Sequence, residues 1–369
     1  MGGGIIGCAV GYYLAKAGVK PLILEKTAVA AEASSGAAGL LTAQTHTDED
    51  SPLFRLKLAS RALYPVLADE LRERADGDIE YRSIGHLLPT FSEDEAAEVK
   101  RRIAWQTASG LRAEWLTRDE ARRIEPGLSL RLLGAGHFPD DHHVNNTAIT
   151  QGLAAACRWM GGKVRVGCEV THLLRQKDRI IGVQTGEERI EAGLVVLAAG
   201  AWSGGFAEDL GVPLPVFPAK GQIIVARTAT PTLARVAYGA DVYVIPRTNG
   251  EHIIGSTVEF VGFDKRVTVE GIAGLLGQAT ALVPGLREAE MIANWGCLRP
   301  ASSDALPLLG TLPDRPGVVL ATGHFRNGIL LGPITGQLLA ELIVQGTPSF
   351  PLDAFRPDRP FNGELPSGH

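Results

Sequence analysis

The chain has 369 residues, 45% hydrophobic and 21% charged, which is room for two domains and ordinary for a globular enzyme. Its net charge of -5 advertises no basic surface for nucleic acid or anionic membrane. Cys8, Cys157, Cys168 and Cys297 lack C-x-x-C spacing, so neither a disulfide framework nor a metal site is expected, and a reducing cytoplasm is the simple reading.

Residues 2–7 are glycine-rich and lead into an amphipathic helix predicted over 5–18. No basic stretch precedes this apolar run and it is too short to span a bilayer, so neither export nor an integral membrane segment is expected. A short strand follows over 21–24 and closes at Glu25. The small residues of 33–40 predict a loop that approaches something closely. A helix is predicted over 52–75 and a strand near 85–91. Ser92…Glu95 and Thr117…Glu120 then have the spacing of capping boxes.

Further along, the pattern predicts a helix over 146–160, short strands near 163–166, 169–175 and 179–185, and a very apolar strand at 194–198. Tyr243–Arg247 and His252–Thr257 flank Asn249-Gly250, a hairpin signal. A helix near 268–284, strands near 290–298 and 317–321, and a last helix over 327–344 complete the chain. Strand–helix patterns at both ends with sheet between them predict an α/β (α+β) two-domain protein. A Rossmann-like nucleotide-binding domain would take 1–80, 145–210 and 300–369. An antiparallel-sheet substrate domain would take 81–144 and 211–299.

Gly2-Gly3-Gly4-Ile5-Ile6-Gly7 fits G-x-G-x-x-G. Gly2 allows the tight turn, Gly4 a close approach to a pyrophosphate, and Gly7 the packing of helix on sheet. The pyrophosphate would sit at a helix N-terminus, where free N–H groups favour anions. Glu25, about 20 residues on at a strand end, is placed for ribose hydroxyls. Only Met1 precedes Gly2, where this fingerprint takes a central strand. The sequence therefore reads as starting late, and cofactor binding is expected to be weakened or lost. No second such turn follows a strand, which argues for one dinucleotide, with electrons leaving to oxygen or a carrier.

These features converge with Ser34-Ser35-Gly36-Ala37-Ala38-Gly39, LVVLAAGAWS (194–203), YVIPR (243–247), WGCLRP (295–300) and GHFRNGILLGPITG (323–336). Together they resemble the D-amino-acid-oxidase-like flavoproteins over nearly the whole chain, and within them the glycine oxidases of thiamine biosynthesis. Sarcosine oxidases and bacterial D-amino-acid dehydrogenases are close relatives. The resemblance implies FAD, held without a covalent bond, running from the glycine turn into the domain interface. It puts Ile5 and Ile6 at the pyrophosphate and Glu25 and Lys26 at the ribose. Val170 would meet adenine through its backbone. Ala33, Ser34, Ala38, Gly39 and Leu40 would line the flavin side, with Gly200 also at the cofactor. His324, Phe325, Arg326, Asn327, Gly328, Ile329 and Leu330 would wrap the isoalloxazine. A homotetramer is also implied.

Local physics agrees at the last segment: a helix starting near Asn327 points its positive end at the preceding loop, where reduced flavin would be an anion. For the substrate, Arg299 is the best carboxylate clamp, because a guanidinium grips a carboxylate at two points. Arg326 and Tyr243 are its candidate partners. His324 is read as a backbone or flavin contact, since hydride transfer needs no protein base. Asp140, Asp141, His142 and His143 are read as a solvated loop and Cys297 as a buried, unreactive thiol. The expected reaction is oxidation of glycine, sarcosine or a small D-amino acid to an imine, then to an oxo-acid and ammonia, with hydrogen peroxide. Two alternatives stay open: a D-amino-acid dehydrogenase serving a quinone or carrier, and a truncated homologue without enzymatic activity.

Overall fold

Gly2 has φ +103°, a conformation that glycine alone adopts readily, and any side chain at Gly7 would collide with the Gly2 carbonyl. These two positions let the chain turn directly into the helix Ile5–Lys16. The computed structural model describes residues 1–75, 78–230 and 232–361. The parts of the expected domains at 76–77, 231 and 362–369 lie outside them.

The first residues run between two parallel strand pairs. Gly2 N donates to Leu24 O (2.8 Å) and Ala198 N to Met1 O (3.0 Å), while the Met1 ammonium donates to Val196 O (2.7 Å). On one side Leu22–Leu24 pairs with Lys163–Arg165. On the other, Val195–Leu197 pairs with Arg315–Thr322, which runs antiparallel to Leu308–Leu312. Strands from three distant parts of the chain thus meet beside one turn.

Behind the turn, Ile5–Lys16 packs against Asn146–Trp159 and the last helix, Gly328–Gln345. Gly332 and Gly336 allow the close approach: a Cβ at either would lie 2.7 Å from the first helix. Pro52–Ala75 covers the last helix, with Ser60 Oγ donating to Leu330 O (2.5 Å) and the Tyr64 hydroxyl to Ile329 O. The segment Phe325–Gln345 is long and apolar enough to cross a membrane, but 61% of it is buried, which is how a core helix of this composition behaves.

The second sheet has eight strands, in the order Glu290–Ser302, Val216–Arg227, Glu251–Gly255, Tyr243–Pro246, Val236–Tyr238, His86–Thr90, Gly134–Phe138 and Glu114–Thr117. The expected hairpin is there, with Tyr243 opposite Gly255. The expected purely antiparallel sheet is not: Val236–Tyr238 and His86–Thr90 pair in parallel. That junction joins two stretches of chain separated by a long crossover, which is the usual route to a parallel pair. Side chains alternate across the sheet. Ile224, Val244 and Ile254 pack with Leu275 and Ala279 of the helix Val269–Leu282. Ile223, Tyr243, Ile245 and Ile253 face the other way, toward Ala38 and Leu40.

The stretch 33–40, expected as a loop, holds a helical turn, Ala33–Gly36, and enters a short strand, Leu40–Leu41, paired with His142–His143. The run 140–143 is also not a solvated loop. Asp141 is wholly buried and His143 nearly so. The Asp141 carboxylate accepts from the amides of Ala43 (2.9 Å), Gln44 (3.1 Å) and Thr45 (2.8 Å), from Thr45 Oγ1 (2.6 Å) and from Arg61 Nη1 (2.8 Å). Burial pushes such a carboxyl up, but His86, Arg61 and the Thr45 donors outweigh it and hold Asp141 below the ordinary carboxylate value.

Asp141→Asn puts a donor where these donors converge and removes the ion-pair partner of Arg61, leaving it Gln44 Oε1 (2.7 Å). It is expected to cost about 3–5 kcal/mol of folding stability, read as a lower melting temperature. Because the folded carboxyl is depressed, its contribution is complete above the unfolded value of about 3.9 and fades as pH falls through the folded value. The variant's melting temperature should therefore fall less steeply than the parent's below about pH 4; an equal fall would show that Asp141 does not carry this charge.

Candidate active site

The N-terminus of Ile5–Lys16 has Gly4 as its cap, with no side-chain hydrogen bond from the cap. Instead Ser34 Oγ accepts from Ile5 N (2.8 Å). Glu25 follows the strand Leu22–Leu24, and its carboxylate bridges the amides of Gly3 (2.7 Å) and Thr27 (2.8 Å). The acid expected at the ribose thus sits beside the glycine turn. Lys26 is exposed and paired with Glu169 (2.7 Å). Val170 begins the strand Val170–Gln176 and packs on the cluster that holds Leu24. Gly2, Gly7, Glu25, Lys26 and Val170 all lie outside the main cavity wall, whereas Gly4, Ile5 and Ile6 are part of it.

That cavity has a volume of about 780 Å³ and lies between the N-termini of the first and last helices and the inner face of the large sheet. Ala33, Ser34, Ala38, Gly39 and Leu40 form one wall. Gly200 and the run from His324 through Phe325, Arg326, Asn327, Gly328 and Ile329 to Leu330 form another. His324 Nε2 is 3.0 Å from Thr335 Oγ1, while its Nδ1 is buried with no hydrogen-bond partner among the described residues. Burial pushes the His324 imidazole down to about 3, so it is neutral at any working pH. The helix Gly328–Gln345 has no side-chain cap at Asn327, which leaves its first amides directed at the cavity end.

The sheet supplies the polar wall. Arg299 lies in Glu290–Ser302, and its guanidinium occupies the space above Gly221, where any side chain would collide with it. Nη1 donates to Thr257 O (3.0 Å) and Nη2 to Ser256 Oγ (2.6 Å). Tyr243 is buried beside it, its ring seated on Gly255; a Cβ there would be 2.6 Å from the hydroxyl. Burial raises the phenol above its ordinary value despite Arg299 nearby, so Tyr243 keeps its proton. Enclosure and then Arg299 pull the Arg326 guanidinium down from its ordinary value, with Tyr238, Tyr243 and Asp241 opposing. The expected catalytic residues Arg299, Arg326 and Tyr243 are thus brought to one cavity.

Cys297 also lines the cavity. Its thiol donates to Gly36 O (3.4 Å), and burial raises it above the ordinary thiol value. A protonated thiol is a poor nucleophile.

Several lining residues carry no motif: Thr42, His46, Lys57, Tyr238, Asp241 and Ser256. His46 stacks at a tilt on Tyr238, ring centroids 4.0 Å apart. Lys57 could have been found. It continues the i, i+3, i+7 ridge of buried Ser60, Tyr64, Leu67 and Leu71, a face where lysine is out of place unless something polar lies beyond.

The family model for FAD dependent oxidoreductases matches residues 1–342. The glycine oxidase of Geobacillus kaustophilus (strain HTA426) is 37% identical over 358 residues, 96% of this chain and 94% of that protein. A crystal structure of glycine oxidase from Geobacillus kaustophilus superposes with a TM-score of 0.93, over 98% of this chain and 97% of that one. The bifunctional protein ThiO/ThiG of Trichormus variabilis is 37% identical over 349 residues, 94% of this chain and 52% of that protein. An iminodiacetate oxidase structure from Chelativorans sp. BNC1 is 28% identical, with a TM-score of 0.86 over 96% of this chain and 97% of that one. With a family match that spans the glycine turn, both cavity walls and most of the last helix, the chain belongs to the FAD dependent oxidoreductase family.

Proposed function

We propose that this protein is an FAD-dependent oxidase of glycine or a similarly small amino acid, sarcosine and small D-amino acids included. The products are an imine, hydrolysed to an oxo-acid and ammonia, and hydrogen peroxide. Its place is the oxidation of glycine for the thiazole of thiamine, a reading that the glycine oxidase and ThiO/ThiG relatives support. The cofactor belongs to segments 1–80, 145–210 and 300–369, and the substrate to 81–144 and 211–299.

The observation that carries this reading is Arg299. It is a guanidinium held on one side by Ser256 Oγ and Thr257 O, half-buried and facing a cavity wall shared with a protonated tyrosine. Such an arrangement suits one small carboxylate. FAD fits the same cavity on independent grounds. The buried His324 Nδ1 has no partner among the described residues, two helix N-termini converge, and Gly4, Ile5 and Ile6 at the start of the first helix line the cavity.

When bound, FAD supplies the acceptor for the hydride of the α-carbon. The chain's own residues bind and orient. Arg299 grips the carboxylate and Tyr243 donates to it. Arg326 adds a second positive charge, which favours the neutral amine over the ammonium, the form from which hydride can leave. His324 is a poor general base, because burial opposes the imidazolium that it would become on taking a proton. The pH profile of anaerobic reduction should thus rise toward the amine's own value, with no step near 6.5.

Arg299→Met is expected to lower kcat/KM for glycine about 100-fold or more, mainly through KM, because a desolvated charge pair contributes about 2–5 kcal/mol. Tyr243→Phe should cost about 10-fold, one hydrogen bond to a charged group. Wild-type kinetics in Arg299→Met would sink the assignment. So would purified flavoprotein that glycine, sarcosine and small D-amino acids all fail to bleach under anaerobic conditions. Peroxide formed without added acceptor distinguishes an oxidase from a dehydrogenase serving a carrier. Acid precipitation should leave the flavin in the supernatant; flavin in the pellet would mean that Cys297 or another residue bonds it.

A further inference from the structure

A single-carboxylate substrate leaves one charge in this cavity unexplained. Arg299 and Tyr243 suffice for one carboxylate. Lys57 lines the same cavity, and no hydrogen bond or ion pair joins its ammonium to any described residue. Its nearest counter-charge of note is Asp141, but that carboxylate is already occupied by the amides of 43–45, by Thr45 Oγ1 and by Arg61. Enclosure pushes the ammonium down to about 8, so it still carries its charge through most of the neutral range. The ammonium is thus open to the cavity and not committed to any carboxylate among the described residues, which leaves it available to an anion that enters.

His46 marks where that visitor would lie. Its ring surface opens on the cavity, against Tyr238, within electrostatic reach of both Lys57 and Arg326. Enclosure and the cations Arg102, Lys57 and Arg326 hold the imidazole below its ordinary value, so it serves as a neutral hydrogen-bonding group. Thr42, on the same segment, adds a hydroxyl at the wall whose oxygen has no hydrogen-bond partner among the described residues. A neutral imidazole, a cation and a hydroxyl thus line the cavity from a different segment of chain than Arg299.

We propose that Lys57, with His46 and Thr42 on the same cavity lining, forms a second anion subsite, so that besides glycine the cavity takes a small amino acid carrying a second acidic group and prefers it to the matched monoacid. This rests on the amino-acid oxidase reading above and extends its substrate range. The second acid is carried on the nitrogen, as in iminodiacetate, or on the side chain, as in D-aspartate. The subsite recognises the anion in either case. Lys57 is a specificity residue and takes no part in moving the hydride.

The test compares holoenzyme with Lys57→Met and Lys57→Arg on matched substrates. Iminodiacetate is paired with sarcosine, and D-aspartate with D-alanine, so that each pair differs by the second acid. In the wild type, kcat/KM should favour the diacid in at least one pair, and which pair tells where the second acid is carried. Lys57→Met should cut that preference by about 10–100-fold through KM, the usual effect of removing one partner of a desolvated charge pair. Lys57→Arg should keep most of it, which a role in packing alone would not predict. A wild type that oxidises the monoacids with no preference for either diacid overturns the proposal and leaves the oxidase reading standing. Equal losses on monoacid and diacid in Lys57→Met also overturn it, since they would mean that Lys57 acts on the flavin or the fold. Failure of every substrate to bleach the flavin sinks both readings together.

Discussion

A carboxylate taken wholly out of water is tolerable only if donors surround it, and Asp141 is such a group. Satisfying it dictates the path of residues 43–45, whose consecutive amides all turn toward one side chain. Other polar groups then fasten the same segment from outside. Gln106 Nε2 donates to Gln44 O (2.9 Å) and Thr47 O (3.1 Å), and Arg102 donates to Thr45 O and to Asp48 Oδ1 (2.7 Å). With its backbone bound on that side, the segment presents Thr42 and His46 to the cavity on the other. One buried charge therefore fixes a wall of the site that has no regular secondary structure of its own.

The opposite wall is rigid for a different reason. It is the inner face of a sheet, and its functional side chains sit where neighbours have none. Arg299 lies over Gly221, Tyr243 over Gly255 and Cys297 over Gly36, each in space that a Cβ would fill. Glycine here makes a seat for a larger neighbour, so the guanidinium and the phenol are held by shape as well as by hydrogen bonds. The cavity is bounded by a charge-anchored segment on one side and by glycine-seated side chains on the other. Neither wall needs a ligand to take its form.

This division explains what could be read in advance. The glycine turn, the Asn249-Gly250 hairpin, the Thr117…Glu120 capping box, the Ser92 cap and the long helices are local signals, and each is where its residues predict, although Glu95 accepts from Phe91 N instead of closing a box on Ser92. The sheet residues Arg299 and Tyr243 came from chemistry that stands out in a strand, and the structure brings them to one cavity with Arg326. What stayed hidden depends on contacts distant in sequence. Asp141 reads as part of a polar loop because nothing near it announces the amides 96 to 98 residues away that bury it. The parallel pairing of Val236–Tyr238 with His86–Thr90 likewise has no local sign. Lys26 and Val170, expected at the cofactor, lie outside the cavity wall: the Lys26 side chain is exposed and paired with Glu169, and Val170, expected there only through its backbone, has its side chain packed on the cluster that holds Leu24. Lys57 was legible in principle, as a charge on a buried helical ridge.

The electrostatics of the cavity follow from these same constraints. Arg299, Arg326 and Lys57 stand around it with the uncapped N-terminus of the last helix, while its lining acids, Asp241 and Glu270, are both exposed. Burial alone would discharge such groups, yet guanidinium keeps its charge because its ordinary value lies so far above neutrality. Histidine behaves oppositely: His324 is forced neutral, since the lack of water opposes its proton. The site thus has fixed positive charge and no readily titrating base. Such a field stabilises anions that arrive or form within it, a substrate carboxylate or a flavin that has gained electrons, and it disfavours an ammonium. On the function proposed above, binding and activation of an amino acid would be one electrostatic effect: the charge that draws in the carboxylate would also favour the neutral amine.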